Sequence, residues 1–411
     1  MMVKRQDLPK IVSVLIIAFF LISLSISETK RTTIPDGYVD IKAYGARGDG
    51  FTDDAPAIQK AENAGISIFF PKGVYRIGSN IIKRTKVNWL GAGYDSILLI
   101  NGSPSSYSSS DIIRNESYGI EDTAFNHSYE MESCDYAYRS IGKFDSFEIK
   151  NLAIRVRSPL KPGEPPNGGY IHIFSFMHTR DVNISNVYMD SISSNNRGNC
   201  IFVFKGGNYN TTINNCKMIH NTDPSVAYGG SIIFASRSTS DPIQYVTISN
   251  NKIIKKNGGD EILWLAANFN SINEVIIRNN TIDAGSNIVK ASVIMLAQDS
   301  DRMLQNVSEP FHDVKVYYNV IHASNLNFSN IFIGYDFGHN PRKSGTINIY
   351  NNYVQTFKNA ATDQVVSGIL VGRAKKVNIQ NNTIIGNQDM GITAKTDVER
   401  VKCKENNITF K

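Results

Sequence analysis

The chain has 411 residues, of which 41% are hydrophobic and 19% are charged, and its formal net charge is +6. This length suits one large domain, and the modest positive charge includes no lysine or arginine run of the kind that binds nucleic acid. Four cysteines are too few for a dense disulfide framework in a chain of this size, although Cys200 and Cys216 are close enough in sequence to form one pair. The composition therefore excludes a basic nucleic-acid-binding tail and a small disulfide-stabilised module.

The first part of the chain is typical of a secretory signal. Basic residues at positions 4, 5 and 10 precede an apolar or small run over residues 11–26, and small residues stand before Glu28. A basic start, an apolar run and small residues at the cleavage point are the three parts of a signal peptide. Residues 1–27 are therefore predicted to direct the protein to secretion, the periplasm or the cell surface, with no stable membrane span after their removal. The alternative is an uncleaved membrane anchor, because the apolar run is at the long end for a signal.

Residues 28–66 are predicted to form a strand and a short helix. The stretch YVDIKAYGA alternates like a strand, and a glycine-rich turn follows it. Asp54 is an N-cap candidate, Pro56 suits the first helical turn, and Gly65 ends the helix. If the chain continues as a solenoid, this helix is expected to cover its first coil, because an open end exposes apolar layers and strand edges.

Residues 67–411 contain a short phrase that recurs about every thirty residues. Each copy alternates apolar with polar residues and then carries one or two asparagines, as in VTISNNKII from Val246, VIIRNNTI from Val275 and INIYNNYV from Ile347. A second apolar strand precedes most copies, for example CIFVF at 200–204 and EILWLA at 261–266. Two or three short strands per repeat, with no helix between them, predict an all-β, right-handed parallel β-helix of about ten to twelve coils.

Asparagine has a physical reason to recur at the turns, because its amide can bond the amides of the neighbouring coils and form a ladder along the axis. Two stretches interrupt the repeat, near residues 101–140 and 157–169, and both are predicted to be loops that project from the solenoid. In solenoids such insertions collect on one face and commonly frame the binding groove.

The segment VDIKAYGARGDGFTDDAPAIQKA, from Val39 to Ala61, with FFPKGVYRI behind it, resembles the opening of pectate-lyase superfamily proteins. That superfamily includes polygalacturonases, rhamnogalacturonases, phage tailspike depolymerases and related exopolysaccharide proteins. Its glycine- and aspartate-rich opening belongs to the N-terminal cap, so the match is a signature of the fold and not of catalysis. The resemblance implies a β-helix that handles long polysaccharides in a groove along its side, and it does not specify the sugar or the reaction.

Two acidic motifs in the middle of the chain resemble those of polygalacturonase-type hydrolases. Asn-Thr-Asp ends at Asp223, and Gly-Asp-Glu, with Asp260 and Glu261, follows one repeat later. Adjacent coils lie about 4.8 Å apart, so the three carboxyl groups are expected to lie close together. One would donate a proton to the leaving oxygen and another would activate water, and clustered negative charge raises the pKa that the acid needs. The Gly-His-Gly and Arg-x-Lys motifs of such hydrolases have no counterpart on the expected coils.

Five further side chains are predicted to contact a polymer: Arg237, Lys255, Lys256, Trp264 and His339. The cations suit acidic sugars, although plain solvation explains each of them singly. The tryptophan would stack on a sugar ring if it faces outward, and a core position is its alternative. The histidine belongs to the GYDFGHN stretch on a lower coil.

The sequence therefore predicts a polysaccharide-cleaving enzyme, preferably a glycoside hydrolase that needs no cofactor or metal. The alternative is a lyase that acts on a uronate polymer by β-elimination, with lysine or arginine as the base and Ca²⁺ as an optional cofactor. A third interpretation is a non-catalytic solenoid that binds polysaccharide or takes part in its export. A homotrimer stays open, because many β-helix proteins are trimers.

Overall fold

A computed structural model describes residues 33–101, 111–117, 144–157, 171–193, 199–221, 230–256, 261–285, 289, 292–297, 307, 309–335, 342–395 and 397–411. The chain divides into two compact units, Met1–Pro35 and Asp36–Lys411, and the solenoid belongs to the second. The predicted signal, residues 1–27, lies outside the described residues. Among the described residues no helix has the length and apolar character that crossing a membrane requires.

The solenoid begins with a strand, a 3-10 turn, a second strand and one α-helix: β1 (Tyr38–Asp40), η1 (Ile41–Tyr44), β2 (Asp49–Asp53) and α1 (Ala55–Asn63). The Asp54 carboxylate accepts hydrogen bonds from the backbone N–H groups of Arg47 at 2.7 Å and Gly48 at 3.1 Å. Asp54 therefore closes the glycine-rich turn, and its side chain does not cap the helix as the sequence suggested. The role of α1 as the end cap of the solenoid stays a prediction.

Later coils bend through three parallel sheets, named A, B and C in the order in which the chain passes through them. Sheet A contains β1, β3 (Ser67–Phe70), β6 (Trp89–Gly91), β9 (Asp145–Val156), β10 (Ile171–Ser193), β11 (Asn199–Asn214), β14 (Ile243–Ser249), β17 (Ile272–Arg278), β20 (Phe311–Tyr317), β23 (Ser344–Tyr350), β26 (Ala374–Gln380) and β29 (Arg400–Lys404).

Sheet B contains β2, β4 (Gly73–Ile77), β7 (Ser96–Ile100), the later parts of β9 and β10, β12 (Lys217–Asn221), β15 (Lys252–Lys255), β18 (Thr281–Asp283), β21 (Val320–Leu326), β24 (Tyr353–Lys358), β27 (Thr383–Gly386) and β30 (Asn407–Phe410). Sheet C contains β5 (Ile81–Lys83), β8 (Asp111–Asn115), the first parts of β10 and β11, β13 (Ile232–Ala235), β16 (Leu263–Ala266), β19 (Ser292–Ala297), β22 (Ser329–Tyr335), β25 (Ser367–Val371) and β28 (Met390–Ala394). Strand β8 lies inside the first predicted loop insertion, and most other residues of both insertions lie outside the described part of the chain.

Core side chains stack in register from coil to coil. Ile248, Ile277 and Val316 are partners on successive strands of sheet A, and Leu263 and Ile294 are partners in sheet C. All five are fully buried. Because side chains alternate between the two faces of a strand, a shift of one residue would turn such a row outward. The predicted all-β parallel β-helix is confirmed, and its right-handed sense stays a prediction from the general handedness of parallel crossovers.

At the turn between sheets A and B, the first asparagine of the repeated phrase adopts a left-handed backbone conformation. Asn250, Asn279 and Asn351 occupy this position with φ of 56°, 54° and 56°. This left-handed region is unfavourable for most side chains and is tolerated by asparagine, whose short polar group bonds locally. Tyr318 and Glu405 hold the same position with φ of 54° and 53°, so on two coils another side chain adopts the conformation that asparagine suits.

The second asparagine of the turn is buried and joins the coils. The Asn280 Nδ2 group donates to Oδ1 of Asn319 on the next coil at 3.0 Å and to the carbonyl of Ile248 on the preceding coil at 2.9 Å. Its Oδ1 accepts from the backbone N–H and from Nδ2 of Asn251, both at 3.0 Å. The ladder continues through Asn251, Asn280, Asn319, Asn352, Asn382 and Asn406. The amide ladder expected from the sequence is therefore present and accounts for the second asparagine of the phrase.

The cysteine pairing that sequence distance allowed is absent. Cys200 and Cys216 are both free and buried; Cys200 belongs to sheet C, and Cys216 lies at the turn between sheets A and B. Burial raises the pKa of each thiol to about 12, so both stay protonated at neutral pH. Cys216 stands in the column of the amide ladder, and its backbone N–H donates to Oδ1 of Asn251 at 2.9 Å.

A buried ion pair joins helix α1 to the first coils. Lys83 Nζ lies 3.1 Å from Glu62 Oε1, and both side chains are fully buried. The Trp89 indole N–H donates to the same carboxylate oxygen at 2.5 Å, and the Arg84 backbone N–H donates to the other at 2.6 Å. Burial raises the pKa of the Glu62 carboxyl and lowers the pKa of the Lys83 ammonium, while each opposite charge acts against that shift. The charged form of each group is therefore stabilised by the opposite charge of the other.

Replacing Asn280 by alanine is expected to cost about 3 kcal/mol of unfolding free energy, because the buried donors of Asn251 lose their acceptor. The neighbouring Asn279→Gly variant is the matched control, since glycine adopts the same positive φ and Asn279 is exposed. Urea denaturation followed by circular dichroism would compare the two. Equal midpoints for Asn280→Ala and the wild type would contradict a stabilising ladder.

The Glu62→Ala variant is expected to lose about 3–5 kcal/mol, because it leaves the Lys83 ammonium buried without its counter-charge. Replacing both Glu62 and Lys83 by methionine should recover most of that loss, since neither charge is then left alone. Denaturation midpoints of the single and double variants provide the measurement. An equal or larger loss in the double variant would assign the effect to packing instead of charge.

Candidate functional site

The outer face of sheet C carries an apolar row, which we call the outer strip. Trp264 lies between Leu263 and Leu265, which point into the core, and so it points outward. One residue per coil continues the outer strip in register: Val203, Ile233, Trp264, Met295, Phe332 and Leu370. Its lower part forms an apolar cluster separate from the main core. Trp264 is half-buried against this cluster, and Val203, Met295, Phe332 and Leu370 are buried, so the outer strip points away from the core but is largely covered.

Charged side chains gather at the beginning of the sheet C strands. His172 pairs in register with Asp111 on one side and with Cys200 on the other. The imidazole Nδ1 lies 2.6 Å from Asp111 Oδ1, and Lys205 Nζ lies 3.9 Å from the same oxygen. Their side chains are 13%, 8% and 14% exposed for His172, Asp111 and Lys205, so the group is screened from bulk water but accessible.

The electrostatic setting keeps His172 neutral. Burial lowers the pKa of its imidazole, and the charges of Lys205 and Arg237 lower it further, while the hydrogen bond to Asp111 acts in the opposite direction. A neutral imidazole that donates from Nδ1 to a carboxylate has its ring orientation and tautomer set by that bond. The pair therefore presents a histidine in the form that can accept a proton.

The structure describes five of the eight site residues that the sequence predicts, and Trp264 has been placed above. Glu261 directly precedes β16 and is half-buried, and its carbonyl oxygen accepts from Lys255 Nζ at 3.4 Å. Lys255 and Arg237 are buried, at 0% and 8% exposure, whereas Lys256 is exposed. The remaining three lie outside the described residues: Asp223, Asp260 and His339.

Burial changes what the two buried cations can do. Lys255 acts on the backbone ahead of β16 and does not lie on the surface along which a polymer would run. Arg237 lies close enough to His172 to lower the pKa of the imidazole, so its charge acts at the beginning of sheet C. The Cys200 thiol, which is the register partner of His172, also feels the charges of Lys255, Lys205 and Glu261.

Sequence reasoning missed Asp111, His172 and Lys205. Asp111 begins the DIIRN stretch, which was assigned to a loop because the phrase with two asparagines is missing there. A usable signal was present in the apolar strand phrases. Asp111, His172 and Cys200 stand two residues ahead of Ile113, Phe174 and Phe202, so aligning those runs places all three in one column.

The arrangement offers proton transfer and anion binding in one place. Asp111 and neutral His172 share a hydrogen bond along which a proton can move, and Lys205 and Arg237 supply positive charge beside them. Within the described ranges, no three histidine, cysteine, aspartate or glutamate side chains converge in a way that could hold a metal ion.

Known structures resemble this chain along most of its length. The Streptococcus pneumoniae surface adhesin PfbA is similar with a TM-score of 0.54 and 14% identity, over 90% of this chain and 91% of that one. A family 28 exopolygalacturonase from Yersinia enterocolitica is similar with a TM-score of 0.42 and 14% identity, over 91% of this chain and 79% of that one. At such identity the adhesin likeness shows the fold alone.

Two curated relatives match a short segment. The preneck appendage proteins of Bacillus phages PZA and phi29 are each 38% identical over 55 residues, which is 13% of this chain and 6% of theirs. This chain therefore spans only a small part of those phage proteins.

The sequence profile of a family described as rhamnogalacturonase A/epimerase, pectate lyase-like matches residues 38–287. That range is well over half of the chain, and it includes the charged group around His172 and both acidic motifs. The resemblance to the pectate-lyase superfamily noted in the sequence is thereby confirmed. The chain belongs to the rhamnogalacturonase A/epimerase, pectate lyase-like family.

Proposed function

We propose that the protein binds a polysaccharide along the outer face of sheet C and cleaves it at the beginning of the sheet C strands. The observation that carries this proposal is the row at the beginning of the sheet C strands: Asp111 and His172 are paired there, Lys205 reaches the same carboxylate, and Glu261 stands at the same end of the sheet further along the axis. Titratable groups that share a partly screened surface are typical of a catalytic site. Membership of a polysaccharide-acting family supports the class of substrate. The proposal includes export of the protein, which the signal-like residues 1–27 support.

The preferred reaction is hydrolysis of a glycosidic bond by Asp223, Asp260 and Glu261. In the chain, Asp223 stands between β12 and β13, and Asp260 and Glu261 stand between β15 and β16. Strands β13 and β16 are direct neighbours in sheet C, so each acidic motif precedes one of two adjacent strands in the chain. Paired carboxyl groups on adjacent coils provide the acid and the base that hydrolysis needs.

The described surroundings assign supporting roles to the predicted binding residues. Trp264 is half-buried in the outer strip, and the exposed part of its ring is the proposed contact for sugar stacking. Lys256 is exposed and suits an acidic substituent on the polymer, whereas Lys255 is a positioning residue that acts through the Glu261 carbonyl. His339 stays a predicted contact on a lower coil.

A second reaction is favoured by one observation, the neutral His172 beside two cations. A uronate lyase removes the proton next to the sugar carboxylate, so it needs a base and positive charge at the same place. His172 held by Asp111 provides the base, and Lys205 and Arg237 provide the charge. The base predicted from the sequence was a lysine or arginine; the geometry favours histidine for this alternative.

Hydrolysis is tested by incubating the protein with plant, algal and bacterial polysaccharides while reducing ends and ultraviolet absorbance are followed together. The Asp260→Asn/Glu261→Gln variant is expected to lose at least about a hundredfold in reducing-end release, because the acid and base are removed. Glu274→Gln is the matched control, since Glu274 is an exposed acid on sheet A of the next coil. Binding of a polymer with no cleavage by the wild type would overturn the enzymatic part of the proposal.

The lyase alternative makes a separate prediction for the His172→Gln variant. If His172 is the base, this change removes product absorbance and lowers kcat by at least about a hundredfold, whereas a hydrolase would keep its kcat. Because the pKa of His172 is lowered, its imidazole becomes deprotonated, and so able to act as a base, at a pH below the ordinary histidine range. The acid limb of the profile of kcat against pH is expected in that same pH range. A hydrolase would instead release reducing ends without product absorbance, and the His172→Gln variant would release them at the wild-type rate.

A further inference from the structure

A cluster of tyrosines interrupts the regular outer surface where sheet A turns into sheet B. Tyr317 and Tyr350 are partners on β20 and β23 and stack face to face, with ring centroids 4.7 Å apart and planes 6° apart. Tyr318 packs edge-on against both, at 5.6 Å and 6.4 Å. Tyr353 begins β24 one turn further along and is 36% exposed. We call these four residues the tyrosine corner.

The tyrosine corner is a local feature of two coils. The register partners of Tyr317 and Tyr350 on the flanking coils are Arg278 and Gln380, and those of Tyr353 are Val320 and Thr383. No core position requires these rings, because the core residues of β20 and β23 are Phe311 at the start of β20 and otherwise valine and isoleucine. The aromatic surface is therefore an addition to the repeat.

Tyr318 has a backbone conformation that its side chain does not favour. Its φ is 54°, at a turn position where Asn250, Asn279, Asn351 and Asn381 adopt φ of 54° to 56°. A bulky residue in this region is strained, and such strain indicates a role for the side chain that asparagine could not fill. The ring is also 54% exposed, so packing inside the fold does not explain it.

The surroundings of the tyrosine corner are polar and hydrogen-bonding. Arg278 and Lys315 are exposed beside Tyr317, and Asn348 and Gln380 are half-buried beside Tyr350. An aromatic surface rimmed by amides and cations matches a pyranose ring, which has apolar C–H faces and a rim of hydroxyl groups. An apolar protein partner would instead meet polar groups on every side of a small patch.

We propose that the tyrosine corner is a second polysaccharide-binding surface, separate from the site on sheet C, on which pyranose rings stack. The inference rests on the proposed function in one respect, namely that the ligand is the same class of polymer. A polymer held at two places on one protein gains avidity without further contacts, because the second contact forms at high effective concentration. The tyrosine corner would then retain the chain while the sheet C site acts on it.

The Tyr318→Asn variant tests this proposal. It restores the residue that the turn favours, so its thermal midpoint should be equal to or above that of the wild type, and misfolding cannot explain a loss of binding. Affinity electrophoresis in gels that contain polygalacturonan, rhamnogalacturonan or a neutral β-glucan measures the dissociation constant. With the polymer that retards the wild type most, Tyr318→Asn should bind about tenfold more weakly.

Tyr245→Asn is the matched control, because Tyr245 is 39% exposed, has φ of 57° and lies near the start of β14, away from the turn between sheets A and B. It should bind like the wild type. Equal retardation of Tyr318→Asn and the wild type would overturn the tyrosine corner alone. Failure of every polymer to retard the wild type would overturn the proposed function together with it. A wild-type dimer in sedimentation that Tyr318→Asn dissociates would make this surface a self-association site and overturn the inference.

Discussion

The hydrogen bonds between successive coils determine where everything else in this protein can lie. Each strand finds its partners one coil before and one coil after, and the buried asparagine ladder holds the turn between sheets A and B at the same point on every coil that has it. Because the register is kept from coil to coil, a side chain on one strand has a defined neighbour about 4.8 Å along the axis. Residues far apart in sequence thereby form rows, and both the outer strip and the charged group around His172 are such rows.

The architecture could be predicted from the sequence because it repeats. The two asparagines of VTISNN and VIIRNN have separate physical reasons, a positive φ for the first and a buried ladder for the second, and both reasons recur at Asn351–Asn352 and Asn381–Asn382. Coils without the pair were harder to recognise. The sequence predicts a loop where strand β8 lies, because the phrase with two asparagines is missing from that stretch.

The site could be predicted only in part, since a repeat shows which residues share a column but not how deeply each is covered. The charge of Lys255 predicts an exposed side chain, yet Lys255 shares the inward face of β15 with Ile253, and its ammonium is buried and donates to the Glu261 carbonyl. Trp264 was ambiguous because Ile262 and Leu263 are both in the core, so simple alternation fails at the beginning of β16. Asp111 and His172 become visible as a pair only after the strands are aligned, because sixty-one positions separate them in the chain.

The buried position after the positive-φ residue at the turn between sheets A and B forms a column along the axis. Its side chains change from apolar residues to asparagine along that axis, and this affects how the coils respond to temperature. Leu152, Val187 and Cys216 occupy it on earlier coils, and asparagines occupy it from Asn251 onward. Apolar contacts weaken on cooling, because the hydrophobic driving force fades at low temperature. At this column the earlier coils therefore depend on an interaction that cooling weakens, whereas the later coils depend on hydrogen bonds between amides. The two kinds of contact meet between Cys216 and Asn251, among the coils whose connections carry the acidic motifs.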